Sequence, residues 1–275
     1  MRRDPRIALR GAALCFAGLV VTGLVALLSH AAQEGDAGAL RSITQLNRGG
    51  LAALTEGLVH LADPKPYAVF GLGLVAIALI RGRYRLAAAL PVVLFAAPFT
   101  SEWLKPLLAT DRVPSWLHAQ ISTGSWPSGH STAALTLALC AVLVAPRRLR
   151  PAVAVVGAVF ASSVAYAVLI QAWHFPSDVV GGFLVAAIWT LLAVAVLVAI
   201  EPERAPTPAD DARPFMWPAE LMLGGVLATA LAVAVARPAE VGTYAFEHTM
   251  GVAVLGAIAA LSLALAGVVT RSLRR

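Results

Sequence analysis

Three short segments of the sequence hold most of its unusual polar residues. They run over residues 105–114, 126–131 and 174–178, and each lies beside a long apolar stretch. Together they supply histidine, serine, aspartate, lysine and arginine, the side chains that bind oxyanions and transfer protons. If the segments meet in the folded chain, their combined chemistry is oxyanion binding with nucleophilic attack.

The first two segments favour a site for phosphate or diphosphate. Lys105 and Arg112 provide two positive charges within one loop. Ser128 provides a hydroxyl donor, and Gly129 lets an anion approach the backbone closely. The segments at 126–131 and 174–178 open the apolar runs at about 131–145 and 179–200, which are read as helices with both N-termini on the outer side. Helix N-termini carry unpaired N–H groups and a partial positive charge, so two of them together favour an anion.

The histidines add reactivity to this anion site. His174 and Asp178 are four residues apart, with Pro176 suited to the first turn of a helix. On that turn the carboxylate can hold one ring nitrogen of His174 and leave the other as a nucleophile. His130 can protonate a leaving oxygen as a general acid. The set predicts phosphoryl transfer through a phosphohistidine, which requires no metal and no other cofactor because cationic groups hold the developing charge.

The composition requires that these segments be held in a membrane. Of the 275 residues, 59% are hydrophobic and 13% are charged, against ~25% charged in average soluble domains. The mean hydropathy is +0.78. These values exclude a soluble globular enzyme, a disordered chain and a fibrous one. The net charge of +6 is explained by basic residues that anchor the chain at the membrane surface, and we expect no nucleic-acid binding. Cys15 and Cys140 lie in apolar runs, which predicts no disulfide framework.

Eight charge-poor apolar runs predict eight transmembrane helices. The run at 86–104 contains Pro91 and Pro98, which are expected to kink it. The first run is interpreted as an uncleaved anchor, the alternative being a signal peptide cleaved near residue 31. The predicted spans are about 11–28, 67–80, 86–104, 131–145, 152–172, 179–200, 221–236 and 250–270.

The loop charges predict the orientation of these spans. With the N-terminus inside, the inner segments carry 15 of the 21 Lys and Arg residues and the outer segments carry six. This asymmetry follows the positive-inside rule. We therefore expect a multi-pass plasma-membrane protein with both termini cytoplasmic and the reactive site extracytoplasmic. All six histidines then fall outside: His30, His60, His118, His130, His174 and His248.

Two segments outside the spans complete the predicted organisation. Residues 30–65 carry leucines spaced by three and four, which indicates an amphipathic helix that lies on the outer membrane surface or packs on the bundle. Residues 201–217 are rich in proline and charge and are read as a cytoplasmic linker. The fold class is therefore an all-α integral membrane protein with a six-helix core over 1–200 and two extra C-terminal transmembrane helices over 218–275. The last pair packs on the core or on a second subunit, which would make a homo-oligomer.

The three segments resemble the motifs of the type 2 phosphatidic acid phosphatase superfamily of membrane phosphatases. The first family motif is Lys, six residues, then Arg-Pro, and the chain has Lys105 and Arg112 at that separation. The second is Pro-Ser-Gly-His, present as Pro127–His130. The third is Ser-Arg, five residues, His, three residues and then Asp. The chain has the His and the Asp of this motif, as His174 and Asp178. The resemblance covers about residues 86–200 and the six-span layout.

This resemblance implies a metal-independent enzyme acting on a lipid phosphate or diphosphate, with polyprenyl phosphates, phosphatidic acid and phosphatidylglycerophosphate as examples. His174 takes the place of the nucleophile, Asp178 of its partner and His130 of the general acid. The family's phosphate binders correspond to Lys105, Arg112, Ser128 and Gly129.

The chain departs from the family pattern at two points. Val113 replaces the proline after Arg112, and Ala167 and Val168 replace the Ser-Arg pair of the third motif. The second change removes one phosphate-binding guanidinium, a loss of the kind that costs on the order of 10²–10³ in rate. We hypothesise that another polar residue compensates, the candidates being Gln171, Arg41, Arg48 and His118.

Two other function classes remain as alternatives to a lipid phosphatase. Val168 favours a catalytically weak or inactive relative that binds lipid phosphates or serves as an assembly partner. The intact His130, His174 and Asp178 argue against it, since a binder has little need of a nucleophile. A transporter predicts ionisable residues within the spans, and the spans carry few, with Glu220 near a span end.

Overall fold

A computed structural model describes residues 5–112, 121–200 and 215–273 of the chain. Every regular element in this described part is an α-helix, and we number the helices in chain order. The first six are α1 Arg6–Leu28, α2 His30–Thr44, α3 Gly49–His60, α4 Pro64–Ile80, α5 Tyr84–Leu107 and α6 Gly129–Val144. The other five are α7 Arg150–Ile170, α8 Pro176–Ile200, α9 Trp217–Ala236, α10 Pro238–Glu247 and α11 Thr249–Ser272.

The helices confirm the predicted multi-pass membrane fold, because each predicted run is a helix in the structure. Six of them, α1, α5, α7, α8, α9 and α11, are long and apolar enough to cross a membrane. The pair α3 and α4, bent by 56° at its break, makes a seventh span if it is counted as one. Helix α6 has only 16 residues and is therefore about 24 Å long.

The short helix α6 lies at the centre of the bundle. It packs against α5, α7 and α8 and also touches α4, and nearly all of its side chains are buried. A helix enclosed by protein on all sides does not need to match the thickness of the lipid. Its position explains why an apolar run shorter than the usual span still belongs to the core.

Helix α5 continues as one helix of 24 residues through Pro91, Pro98 and Pro106. The two prolines expected to kink this span therefore do not divide it. Its last turn carries Lys105, so α5 delivers the first of the predicted site residues to the same end of the bundle as the start of α6.

The 30–65 segment forms two helices, α2 and α3, that pack on the bundle. Helix α3 contacts α7 through a face that contains Thr55 and Val59, both buried. Of the leucines in the predicted stripe, Leu51, Leu54 and Leu61 are exposed, whereas Leu58 is partly buried against the core. Helix α3 thus packs on the bundle through a face centred on Thr55 and Val59, and most of the leucine stripe lies outside that face.

The two C-terminal long helices differ in how they join the core. Helix α11 packs on α7 and α8, and Ser162 and Ser262 share a buried hydrogen bond of 2.8 Å. Helix α9 is almost entirely exposed, with only Ala219 buried. Residues 201–214 of the predicted linker lie outside the described residues, and its last residue, Trp217, already begins α9.

Candidate active site

The N-termini of α6 and α8 meet, as the sequence predicted. The backbone N–H of Ser128 donates to the carbonyl of Asp178 over 2.9 Å and ties the two helix ends together. Gly182 on α8 makes this approach possible, because a methyl group there would lie 2.5 Å from the carbonyl oxygen of Ser128. The two helix N-termini are therefore close together in the fold, and anion binding there stays a prediction.

His174 and Asp178 form the predicted histidine–carboxylate pair. His174 Nδ1 lies 3.4 Å from Asp178 Oδ2, and that oxygen also accepts the backbone N–H of Phe175 over 3.0 Å. The turn that presents His174 ends α7 with Ala172 at φ +56°, the left-handed conformation that closes a helix. Because Nδ1 faces the carboxylate, Nε2 is the ring nitrogen left for a substrate.

Arg112 is held by carboxylates and hydroxyls. Its guanidinium donates to Asp178 Oδ1 over 2.5 Å, to Ser125 over 2.8 Å and to Ser177 over 3.2 Å, and its side chain is 2% exposed. Asp178 thus contacts both His174 and Arg112. The residue predicted to bind phosphate therefore holds, in this conformation, the carboxylate partner of His174.

Asp36 on α2 is a member of this cluster that the sequence analysis did not identify. Its carboxylate accepts the backbone N–H of Ser177 over 3.2 Å and the Ser177 hydroxyl over 2.5 Å, and it lies 3.9 Å from Arg112. Burial raises the pKa of Asp36 to about 6, with a smaller contribution from the negative charge of Asp178. Nothing in the sequence near Asp36 indicates the role, since its partners are 76 and 141 positions away.

Lys105, Glu102 and Gly129 form the other side of the site. Lys105 Nζ is 2.6 Å from Glu102 Oε1. A methyl group at Gly129 would lie 2.5 Å from that same oxygen and 3.4 Å from Lys105 Nζ. The Glu102 carboxylate therefore lies at the N-terminus of α6, the place where the sequence analysis predicts a phosphate. Its spacing of three residues from Lys105 on one helix is the signal that could have identified it.

Ser128 caps α6. Its hydroxyl accepts the backbone N–H of Ser131 over 3.3 Å, and the residue is fully buried. An N-cap serine satisfies one of the unpaired donors of the first helical turn, so Ser128 orients the start of α6. The hydroxyl proton of Ser128 is still available for donation.

His130 lies in a cluster formed by residues that are distant in the sequence. Its Nε2 is 3.0 Å from Asp63 Oδ1, and His60 Nδ1 is 2.8 Å from Asp63 Oδ2. The Trp173 ring packs edge-on against His130, with centroids 5.4 Å apart. His60 and Asp63 were not predicted to belong to the site, and the signal for them is a histidine and an aspartate three residues apart just before Pro64.

Two of the predicted substitutes for the missing arginine, Gln171 and Arg48, have other partners in the described part of the chain. Val168 is fully buried, and the Gln171 side chain donates to the Ala52 carbonyl and the Thr55 hydroxyl on α3. Arg48 pairs with its neighbour Gln45 over 2.8 Å. Val113 and His118 lie outside the described residues, and Arg41 is on the last turn of α2.

Comparison with known proteins agrees with this architecture. Residues 84–201 match the sequence model of the PAP2 superfamily. The chain is similar in fold to a transmembrane PAP2-type phosphatidylglycerolphosphate phosphatase of known crystal structure from Bacillus subtilis, with a TM-score of 0.59 and 20% sequence identity. The similarity covers 70% of this chain and 99% of that one. The curated proteins contain no match.

The matched region contains helices α5 to α8 and all seven residues that the sequence analysis selected, from Lys105 to Asp178. It begins where α5 begins and ends just after α8. The chain is therefore a multi-pass membrane protein whose residues 84–201 match the PAP2 superfamily model and whose fold is similar to that of a PAP2-type phosphatase.

Proposed function

We propose that this protein is a metal-independent phosphatase that hydrolyses a lipid phosphate or diphosphate through a phosphohistidine on His174. The observation that carries the proposal is the His174–Asp178 pair at the meeting point of two helix N-termini. Lys105 and the His130 ring lie at the same end of the bundle. This set contains a nucleophile, a general acid and donors for the phosphate oxygens, which are the components that phosphoryl transfer requires.

In the first step, His174 Nε2 attacks phosphorus and the bond from phosphorus to the leaving oxygen breaks. Lys105 and the N–H groups at the start of α6 stabilise the phosphate oxygens. His130 donates its proton to the leaving oxygen. A lipid monophosphate is thereby converted to an alcohol, and a lipid diphosphate to a monophosphate. Asp178 stabilises the positive charge that develops on the His174 ring.

In the second step, water attacks the phosphohistidine. His130, now neutral, accepts a proton from that water as a general base. The phosphorus–nitrogen bond breaks and its electron pair returns to His174, which releases inorganic phosphate. Arg112 binds Asp178 throughout, so its role in this scheme is to orient the carboxylate, and it joins the phosphate ligands only if it exchanges partners.

An apolar groove supports a lipid as the substrate. It lies between α1, α5 and α8, has a volume of about 590 Å³, and includes Phe16, Leu104 and Trp189 in its lining. Its wall also contains Trp126, two residues before Ser128. A groove of this kind accommodates an acyl or prenyl tail while the phosphate lies at the helix ends. The orientation predicted from the basic residues places this site on the extracytoplasmic face of the plasma membrane.

Val168 gives a reason to keep the second candidate, a weak or inactive relative that binds lipid phosphates. The position holds an apolar, fully buried side chain where the family motif has an arginine. The two candidates differ in a direct assay, since a binder retains lipid phosphates without releasing inorganic phosphate.

The proposal is tested by phosphate release from the purified protein in detergent with excess chelator. The substrates are a polyprenyl diphosphate, a polyprenyl phosphate, phosphatidic acid and phosphatidylglycerophosphate. We expect chelator-resistant release that is abolished in His174→Ala and unchanged in His30→Ala, which removes an exposed histidine of α2. Activity that survives in His174→Ala contradicts the phosphohistidine, and lipid binding without release from any substrate favours the inactive relative.

A further inference from the structure

One carboxylate, that of Asp63, joins two histidines. Its Oδ1 lies 3.0 Å from His130 Nε2 and its Oδ2 lies 2.8 Å from His60 Nδ1. His60 ends α3 and Asp63 precedes α4, while His130 is the second residue of α6. The break between α3 and α4 therefore brings a carboxylate to the ring that the proposed mechanism uses as its acid.

Asp63 does not serve the structural role that its position suggests. It is the N-cap residue of α4, where an aspartate ordinarily accepts a backbone N–H of the first turn. Its side chain makes no such capping bond. Both oxygens are directed at histidine rings instead, which indicates that the carboxylate acts on those rings and not on the helix end.

The cluster adjoins the nucleophile. Trp173, next to His174 in the chain, contacts the His130 ring with centroids 5.4 Å apart and the His60 ring with centroids 6.4 Å apart. The charged and titratable groups around His130 are Asp63, with its partner His60, from the α3–α4 break, Lys105 from α5, and His174 from the α7–α8 turn; Glu102 is paired with Lys105.

We propose that Asp63 is the positioning residue of the general acid: it binds Nε2–H of His130, fixes the tautomer, and directs Nδ1 to the leaving oxygen. His60 binds the second oxygen of Asp63 and fixes the orientation of the carboxylate. This inference rests on the proposed phosphatase function. It gives the site two histidine–carboxylate pairs that present opposite nitrogens, Nε2 from His174 and Nδ1 from His130.

The protons balance through this arrangement. His130 begins as an imidazolium, with Nε2–H bound to Asp63 and Nδ1–H directed at the leaving oxygen. When the phosphorus–oxygen bond breaks, the Nδ1 proton moves to that oxygen and the ring becomes neutral, with its remaining proton on Nε2. In the second step Nδ1 accepts a proton from the attacking water, which restores the imidazolium. Asp63 remains ionised throughout, as the carboxylate of a catalytic triad does.

The test measures the release of the leaving group in a single turnover with two phosphate monoesters that carry alkyl chains of equal length. One is an alkyl phosphate, whose leaving oxygen needs a proton, and the other is a nitrophenyl phosphate, whose leaving oxygen does not. We expect Asp63→Asn to slow release from the alkyl phosphate by about 10²-fold, the lower range for general-acid catalysis, and to leave release from the nitrophenyl phosphate within about threefold. Asp63→Glu should restore part of the alkyl phosphate rate.

A double-mutant cycle separates positioning from a merely structural role. In a His130→Ala background, Asp63→Asn should cause no further loss with the alkyl phosphate, because the acid that it positions is gone. Glu34→Gln is the matched control, since it removes a carboxylate from an exposed histidine pair on α2 and should not change either rate.

The outcomes distinguish this inference from the function on which it rests. Equal slowing of both substrates by Asp63→Asn, or an additive loss in the His130→Ala background, overturns the inference and leaves the phosphatase in place. If the wild-type protein releases neither leaving group, the proposed function fails and the inference fails with it.

Discussion

At the level of single residues, the structure assigns the charged side chains to partners that the motifs do not indicate. Arg112 binds Asp178 and Lys105 binds Glu102, so both predicted phosphate cations are paired with carboxylates. In the proposed mechanism Lys105 changes or shares its partner when the phosphate binds, while Arg112 stays with Asp178. The strength of substrate binding then depends on the carboxylates as well as on the cations.

Glu102→Gln is expected to tighten substrate binding. The Glu102 carboxylate lies at the start of α6 beside Lys105 Nζ, so a phosphate must displace it. Because exposed ion pairs contribute up to about 1 kcal/mol, the KM should fall by up to about fivefold with little change in kcat. The measurement is steady-state kinetics in detergent. Glu240→Gln, which removes an exposed pair with Arg237 on α10, is the control, and a raised KM in Glu102→Gln would show that Glu102 is not a competitor for the site.

Asp36 is expected to make stability depend on pH. Burial raises its pKa from 3.8 to about 6, so the folded protein binds the proton more tightly than the unfolded chain. Its contribution to stability is therefore fully present below the unfolded pKa and is lost as pH rises through about 6. The Tm of the wild type in detergent, relative to that of Asp36→Asn, should fall between pH 5 and pH 7.

The control for this pH series is Asp111→Asn, which changes an exposed aspartate in the loop after α5. Its Tm difference from the wild type should have no step near pH 6. A wild-type minus Asp36→Asn difference that is flat or rises with pH would contradict the buried, proton-binding carboxylate.

At the level of the elements, the site depends on how closely α6 and α8 approach. Both helix starts were predicted from local signals, because each follows a short polar segment that opens an apolar run, and Pro176 suits the first turn of α8. The closeness of the two ends has a separate cause. Gly182 lies on α8 directly against the Ser128 carbonyl and the Thr132 hydroxyl, so the absence of a side chain permits the contact.

Gly182→Ala is expected to separate these helix ends. The added methyl group would lie 2.5 Å from a backbone oxygen, which cannot move without moving α6. Overpacking of this kind costs typically 1–3 kcal/mol, with ~1 kcal/mol as the least expected here, and it should also lower kcat because His130 and His174 are carried by the two displaced elements. Thermal unfolding and phosphate release measure the two effects. Gly256→Ala on α11, where a methyl group meets nothing within 4 Å, should leave both unchanged.

At the level of the whole molecule, the bundle encloses its shortest helix. Helices α5, α7 and α8, each long enough to cross a membrane, pack around α6. Because α6 is enclosed by protein, it need not be long enough to span the lipid, and its first turn lies against the start of α8. The reacting groups are thereby gathered at one end of the bundle.

The predicted orientation can be tested with single cysteines in intact cells. Ser122→Cys lies in an exposed loop at the site end, and Tyr84→Cys lies at the start of α5, where the tyrosine is 71% exposed. A membrane-impermeant thiol reagent should label position 122 in intact cells and position 84 only after permeabilisation, because the basic residues predict that the site faces outward. Cys15 and Cys140 are buried and should not react. The reverse labelling pattern would place the site on the cytoplasmic side.

Most of the fold could be predicted from the sequence because its signals are local. The length of an apolar run determines whether a helix can span lipid, and each predicted run is a helix here. The histidine and aspartate of the α8 start are four residues apart, so one helical turn brings them together. The contact between His174 and Asp178 could therefore be predicted from local spacing, and their catalytic roles stay a prediction.

The rest was decided only by tertiary packing. Asp63 reaches His130 across 67 positions, and Asp36 reaches Ser177 across 141. No periodicity or spacing links such residues, because their distance depends on which helix faces pack together. Packing also decided that Leu54 of α3 faces away from the bundle and that Arg112 binds Asp178. The sequence by itself therefore determined the chemistry available to this protein and the helices that carry it, while the tertiary structure decided which charges are paired and which ring nitrogens remain available.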